Sequence, residues 1–192
     1  MKSIGIFCGS SVGEHPLYLE TARLVGRTLA QQGLALVYGG GKVGLMGAVA
    51  DAALEAGGVV IGVMPRGLVE REIAHRGLTE LHVVEDMHER KNQNGGAGGW
   101  LYCPAGRGGD ARGDFEQWTW AQLGIHEKPC AFLNIKGYYD PLQAMVDNMV
   151  REGFMHPRYA EMLPFATSAD EIIAGFRDYT PPARKWVQQP AI

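Results

Sequence analysis

Three turns that follow short apolar runs have compositions suited to binding a phosphate group. Two of them are rich in glycine, and a helix is predicted to begin just after them. Glycine lets the backbone approach a ligand closely, and a helix N-terminus presents free N–H groups and a positive dipole end to an anion. The same turns are also ordinary strand-to-helix connections. The turns are Cys8-Gly9-Ser10-Ser11, Gly39-Gly40-Gly41 and Met64-Pro65-Arg66, and the candidate ligand-loop residues are Gly9, Ser10, Gly40 and Gly41.

The second turn formally matches the dinucleotide-binding pattern G-x-G-x-x-G, with the sequence GGGKVG over residues 39–44. It follows the second apolar run instead of the first, and no acidic residue closes the next run, 59–64, to hold a ribose. It is not a P-loop either, because Val43 follows Lys42 where Ser or Thr is required. An NAD(P)-dependent oxidoreductase therefore stays only as an alternative function.

A dense charged patch, EDMHERK, covers residues 85–91 directly after the apolar run 81–84. Arg90 and Lys91 in this place are able to clamp a phosphate or protonate a leaving group, and His88 is a candidate acid–base group. A solvated helix start is the simpler interpretation of the charge run taken alone.

These groups are positioned by alternating strand and helix patterns. Within the first helical pattern, Leu17, Leu24 and Val25 share one predicted buried face. The alternation predicts an α/β, Rossmann-like fold, an open parallel sheet flanked by helices on both faces. The predicted strands cover 2–8, 34–38, 59–64, 81–84 and 129–135, and the predicted helices cover 16–32, 44–56, 141–152 and most of 158–176.

The composition is that of one globular domain spanning residues 1–192, with a Pro-rich tail from about 180 to 192. A net charge of −3 gives no electrostatic reason to expect a nucleic-acid or membrane partner. No run has the pattern of a signal peptide or a transmembrane helix. The three cysteines lack metal-binding spacing, which predicts buried thiols in the cytoplasm and no metal site.

Several blocks of the chain resemble the LOG ("lonely guy") family, long labelled lysine decarboxylase-like. The resemblance implies hydrolysis of the N-glycosidic bond of nucleoside 5′-monophosphates, especially N6-substituted adenine (cytokinin) nucleotides. It also implies a homodimer with active sites near the subunit interface and no metal or redox cofactor. No feature suggests a pyridoxal phosphate site. The blocks are IGIFCGSS, LVYGGGKVGLMGAVADAAL, VIGVMP, EIAHRGL, EDMHERK and FEQWTWAQLGIHEKP.

Residues 92–114 depart from the family. The signature PGGxGTxxE is missing, and PAGRGGDARG stands at its expected spacing. This stretch contains eight glycines and no clear periodicity, although a strand and its flanking helices are due there. Its length is nevertheless the length that the family needs, which indicates two compensating single-base shifts and not an insertion.

The genetic code supports this compensated frameshift. With suitable synonymous codons, one A removed from codon 91 and one T restored at codon 115 change the product to KTRMAELADGFIALPGGAGTLEEIF. Only the middle base of each shifted codon is free, so few residues are reachable at each position. The recovery of the whole motif, with a helix before it and a strand leading into it, favours the frameshift over a genuine glycine-rich lid.

The resemblance also implies roles for individual positions. The motif glutamate, which would stabilise the ribosyl cation or orient water, falls on position 113, where Gly113 stands. Arg90 is the paired catalytic residue, with Lys91 beside it on the substrate. Since the carboxylate is missing, the activity of this chain is expected to be impaired, and a non-catalytic nucleotide-binding protein is the alternative. The substrate-binding positions are Glu72, Lys91, Gly106, Arg107, Gly108, Gly109, Asp110 and Thr119.

Overall fold

A computed structural model of the chain describes residues 1–69, 74–85, 99–102 and 108–181, with the backbone alone at 102 and 108–114. Seven strands of these residues form one sheet, in the order β4-β3-β2-β1-β5-β6-β7, and every neighbouring pair is parallel. The strands are β1 (Ser3–Phe7), β2 (Ala35–Tyr38), β3 (Val60–Pro65), β4 (Glu80–Val84), β5 (Trp100–Tyr102), β6 (Cys130–Leu133) and β7 (Phe165–Ala166).

Helices cover both faces of the sheet, as the alternation predicts. Buried side chains of α1, α2 and α7 pack on one face, and those of α4, α5 and α6 pack on the other. The α/β, Rossmann-like prediction is confirmed. The helices are α1 (Pro16–Gln31), α2 (Gly44–Glu55), α3 (Arg66–Val69), α4 (Gly108–Gln122), α5 (Asp140–Arg151), α6 (Pro157–Ala160) and α7 (Ala169–Asp178).

The strand order creates a switch point beside β1. From β1 the chain first builds outward through β2, β3 and β4, and then crosses over to add β5, β6 and β7 on the other side. Helix α1, after β1, and helix α4, after β5, therefore lie on opposite faces. In such a sheet a crevice opens between the carboxyl ends of the two central strands, and ligands bind there.

The buried face of α1 differs from the predicted one. Val25 is buried, but Leu17 and Leu24 are 38% and 55% exposed. The reason lies in the contact between α1 and α2, where Gly26 approaches the Val49 carbonyl so closely that a Cβ would collide with it. Small residues therefore mark the packed stripe of α1, and the larger leucines are left outside it.

Residues 158–176 were expected to be mostly helical, and helices do cover more than half of them, but the prediction missed a strand between the helices. The segment contains the end of α6, the two-residue strand β7 and most of α7. Two hydrogen bonds join β7 to β6. Phe132 N donates to the carbonyl of Pro164, just before β7, and Asn134 N, just after β6, donates to the carbonyl of Ala166, the last residue of β7. Ser168 then begins α7 by accepting a hydrogen bond from the Glu171 amide, as an N-cap residue does.

The departing segment supplies a strand and a helix where the alternation requires them. Trp100 of β5 is 1% exposed, and it lies against Gly5 of β1, where a Cβ would have no room. Its indole Nε1 is buried and finds no hydrogen-bond partner among the described residues. The frame-restored sequence has glycine at this position, so the indole is a local cost of the present sequence.

The chain should be less stable than a version in which residues 92–114 read TRMAELADGFIALPGGAGTLEEI, which we call the reframed chain. An unpaired buried donor such as the Trp100 indole costs about 1–3 kcal/mol. Gly113, inside α4, costs about 1 kcal/mol more relative to a helix-forming residue. A difference of about 2 kcal/mol corresponds to a rise of about 4–8 °C in melting temperature for the reframed chain. Equal or reversed melting temperatures, measured by circular dichroism, would contradict this physical argument.

Candidate functional site

The loop after β1 lies at the switch-point crevice and is held from behind by α2. The carbonyl oxygen of Gly9 accepts hydrogen bonds from Leu45 N at 3.1 Å and from Met46 N at 3.4 Å. Gly44 has φ +62° and lies so close to the Ser10 backbone that no Cβ would fit. The first turn of α2 therefore directs these two amides at the protein's own backbone, and they are not free for an anion.

The N-terminus of α1 is also satisfied internally. Nδ1 of His15 accepts a hydrogen bond from Leu17 N at 3.2 Å, and the His15 carbonyl accepts one from Tyr18 N at 3.1 Å. Helices α1 and α2 begin on the β1 and β2 side of the crevice. Each of them therefore has first-turn amides that already donate hydrogen bonds within the protein. The prediction that Gly9, Ser10, Gly40 and Gly41 contact a phosphate stays a prediction, and the geometry assigns Gly9 a bracing role.

Helix α4 begins on the opposite wall of the crevice. It is the next described element after β5 and starts at Gly108, so Gly108, Gly109 and Asp110 form its first turn. Gly113 lies in its second turn. Its fifteen residues give it the aligned peptide dipoles that favour an anion at its N-terminus. Gly106 and Arg107, the two preceding predicted loop residues, lie outside the described residues.

Thr119 is the predicted substrate residue whose side chain the structure describes. It is exposed on α4, and its hydroxyl donates to the Phe115 carbonyl at 2.7 Å. Eleven residues separate it from Gly108, which is about 16 Å along a helix. Thr119 and the first turn of α4 therefore cannot contact one phosphate group. A substrate that touched both would have to extend along the helix.

Four further predicted residues also lie outside the described residues: Glu72, His88, Arg90 and Lys91. The elements beside them are informative. Ala74 forms an antiparallel bridge with Gly41, and β4 leads into the charged patch at the same sheet edge. The carboxyl ends of parallel strands share one edge of the sheet. Ala74 and the end of β4 therefore both lie at the edge where ligands bind in this class of fold.

Tyr38 fixes the end of the Gly39–Gly41 turn. Its hydroxyl donates to the Gly41 carbonyl at 3.1 Å, and the ring is 1% exposed. Burial raises the pKa of the Tyr38 phenol well above its usual value, with smaller contributions from Cys8 and Asp51. The phenol therefore keeps its proton and remains a hydrogen-bond donor at neutral pH.

The contact that sequence reasoning missed is at His75. Its backbone N–H donates to the Gly40 carbonyl at 2.8 Å, and its ring reaches Asp51 on α2. The only signal in the sequence was its place in EIAHRGL, three residues after the predicted substrate residue Glu72.

Gly44→Ala should destabilise the chain much more than Gly33→Ala. Both glycines have left-handed φ angles, +62° and +68°, in which alanine costs about 1–2 kcal/mol. Gly33 has open space around it, whereas a Cβ at Gly44 collides with the Ser10 backbone. Overpacking of this kind adds about 1–3 kcal/mol. Chemical denaturation measures both variants, and similar losses in the two would contradict the close approach of the β1 loop to α2.

The described residues hold no group of three or more His, Cys, Asp or Glu side chains that would suit a metal ion. The side chains of Cys8 and Cys130 are buried, and Cys103 lies outside the described ranges. No helix in the described part of the chain is long and apolar enough to cross a bilayer.

The parallel sheet, its switch point and the helix that starts there define a Rossmann-like α/β protein with a crevice suited to a phosphorylated ligand. Residues 46–176 match a family model described as "Possible lysine decarboxylase". The chain belongs to this family, which is the LOG family.

Named relatives and solved structures agree with this membership. The chain is 42% identical over 177 residues to the cytokinin riboside 5′-monophosphate phosphoribohydrolase of Rhodococcoides fascians, covering 92% of this chain and 89% of that one. It is 40% identical over 180 residues to the LOG1 enzyme of Arabidopsis thaliana, covering 94% and 84%. A molybdenum cofactor binding protein from Rippkaea orientalis shares the fold, with a TM-score of 0.69, 21% identity and coverage of 93% and 97%.

Proposed function

We propose that this protein is a phosphoribohydrolase that cleaves the N-glycosidic bond of nucleoside 5′-monophosphates, releasing the free base and ribose 5-phosphate. Relatives about 40% identical over most of the chain carry the name of this activity. The observation that carries the proposal is the position of α4. It begins at the switch-point crevice, at the position where the family carries its glycine-rich motif, while α1 and α2 have first-turn amides bonded to the protein itself.

In this mechanism the 5′-phosphate binds the backbone N–H groups of residues 106–110 at the start of α4. Position 113 lies about 7.5 Å further along the helix, which places it toward the ribose of a bound nucleotide. A glutamate there would stabilise the cationic ribose as the base departs, or orient the attacking water. Arg90 is the paired catalytic residue, and Lys91 contacts the substrate beside it. Water adds across the C–N bond without any change of oxidation state, so the reaction needs no redox cofactor, and the proposal includes no metal.

Nucleotide binding without turnover is the second candidate for the present chain. The observation that favours it is Gly113, which supplies no carboxylate. A dinucleotide-dependent oxidoreductase has less support, because β3 ends at Met64 and Pro65 and offers no acidic side chain for a ribose. The proposal includes a single domain, since the described strands form one sheet, and a location in the cytoplasm.

The test compares AMP with adenosine as substrates of the reframed chain. If the phosphate binds at the start of α4, kcat/KM for AMP should exceed that for adenosine by about a hundredfold, the value of two charge-assisted hydrogen bonds. Base release is followed by liquid chromatography, with NADH binding measured in parallel. Equal rates for the two substrates, or NADH binding without base release, would refute the proposed function.

We propose further that the chain forms a homodimer through the end of α4. Trp118 is buried and donates from Nε1 to the Tyr159 carbonyl, but Leu123 and Ile125 beyond it are 41% and 64% exposed. Ile125→Asp should shift a dimer to a monomer in light scattering at micromolar concentration, because a charge in an apolar interface is costly. Leu24→Asp on α1, where the leucine is 55% exposed, is the matched control and should stay dimeric. A monomeric unmodified chain would contradict the dimer.

A further inference from the structure

Residues 74–78 form a strap that begins beyond the carboxyl end of β2 and runs back over the middle of β3. Ala74 bridges to Gly41, and the His75 N–H donates to the Gly40 carbonyl at 2.8 Å. At the other end of the strap, Leu78 fills the space above Gly62, where a Cβ would have no room. The strap therefore follows the glycine turn after β2 closely and is bonded to it through the backbone.

The side chain of His75 ties this strap to α2. The ring is only 6% exposed. Nδ1 accepts a hydrogen bond from Gly77 N at 3.0 Å, so the ring proton belongs on Nε2. Nε2 then donates to Oδ1 of Asp51 at 2.7 Å, and Asp51 lies on α2 with a half-exposed side chain. Both ring nitrogens thus have defined partners, which fixes the orientation of the imidazole.

The two contacts of His75 lie on either side of the β2–α2 connection. His75 contacts Gly40, where the β2–α2 connection begins, and Asp51, two turns into the helix that follows. The connection contains Gly40, Gly41 and Gly44, and residues without side chains cannot fix a loop by packing. The N-terminus of the same helix holds the β1 loop through the Gly9 carbonyl. A continuous set of contacts therefore runs from His75 to the wall of the crevice.

We propose that His75 and Asp51 form a positioning pair that sets the β2–α2 loop and, through the Gly9 carbonyl, the β1 wall of the nucleotide crevice. The identity of the ligand rests on the proposed function, whereas the pair itself rests on the contacts above. Neither residue touches the substrate. Loss of the pair should loosen the wall that receives the ligand and weaken substrate binding, while leaving the bond-breaking groups in place.

The kinetic test uses the reframed chain with AMP. His75→Ala and Asp51→Ala should each raise KM by about tenfold, the value of one hydrogen bond to a charged group, with kcat changed by less than about twofold. Asp51→Asn keeps an oxygen acceptor and should restore most of the lost affinity. His82→Ala is the matched control, because His82 forms a similar pair with Glu80 at 3.0 Å but is exposed on the edge strand β4. It should leave KM unchanged.

A second readout does not depend on turnover. Amide hydrogen exchange in the present chain should become faster in peptides covering 38–47 and 74–77 for Asp51→Ala, and not for His82→Ala. If the unmodified reframed chain fails to hydrolyse AMP, the proposed function fails while the exchange data still decide the pair. Should His75→Ala not fold, Asp51→Ala decides alone. An unchanged exchange rate in Asp51→Ala overturns the proposal, and so does a fall in kcat at constant KM.

Discussion

The reframed chain should release adenine from AMP at least about a hundredfold faster than the present chain, the low end of what a positioned acid–base group contributes. Two changes produce the gain. Reframing places a glutamate at position 113, in the second turn of α4, where the proposed mechanism requires a carboxylate for the developing ribosyl cation. It also restores PGGAGT before and within the first turn, whose successive backbone amides are the proposed binding site of the phosphate. Base release from both chains under saturating AMP gives the comparison.

Matched variants separate these two contributions. A reframed chain that carries Gln instead of Glu at position 113 keeps the restored phosphate loop but loses the carboxylate charge. It should bind AMP normally and release adenine at a rate close to that of the present chain. The present chain with Gly113→Glu alone should gain little, because its phosphate loop is still altered. Equal rates of base release in the present and reframed chains would show that the change of frame does not affect activity. Residues 92–114 would then be a genuine glycine-rich segment.

Arg90→Ala in the reframed chain should lower kcat by about a hundredfold to ten-thousandfold, the range for removal of an acid–base or charge-stabilising group. Arg90 comes six residues after the end of β4 in the sequence, within the charged patch that the resemblance pairs with the motif glutamate. KM should change less than kcat, because the interaction develops as the bond breaks. Steady-state kinetics with AMP measure both parameters.

Arg27→Ala is the control for that variant, since Arg27 is exposed on α1, away from the crevice, and its removal takes away the same charge. It should leave kcat within about twofold of the parent value, as surface substitutions away from a site usually do. Melting curves for both variants establish that the fold survives. A near-normal kcat in the folded Arg90→Ala variant would show that Arg90 has no catalytic role.

The sheet could be predicted because buried parallel strands are short apolar runs separated by helical periods. The predicted strands 34–38 and 59–64 correspond closely to Ala35–Tyr38 and Val60–Pro65. β7 was missed because two residues cannot show a period, and their strand character comes from hydrogen bonds to β6. The buried face of α1 was misjudged because hydrophobicity favoured Leu17 and Leu24, whereas close packing at Gly26 decided the orientation.

The candidate site was predictable at the level of position but not of contact. Glycine turns at strand ends indicated the carboxyl edge of the sheet, where we propose the site. Sequence alone could not show that the Gly9 carbonyl accepts hydrogen bonds from the Leu45 and Met46 amides, because that contact joins a loop and a helix N-terminus that meet only in the folded protein. The tie between His75 and Asp51 was invisible for the same reason, since twenty-four residues separate its partners.

The most direct test of the central claim is to identify the products that the reframed chain forms from AMP. Mass spectrometry of the reaction mixture should find adenine and ribose 5-phosphate in equal amounts. Water replaces the base at the anomeric carbon, while the phosphate ester bond to the ribose stays intact. Adenosine would indicate loss of phosphate, and inosine monophosphate would indicate attack on the base. Either product in place of free adenine, or unchanged AMP in the presence of the folded reframed chain, would contradict a phosphoribohydrolase site at the β1–β5 crevice.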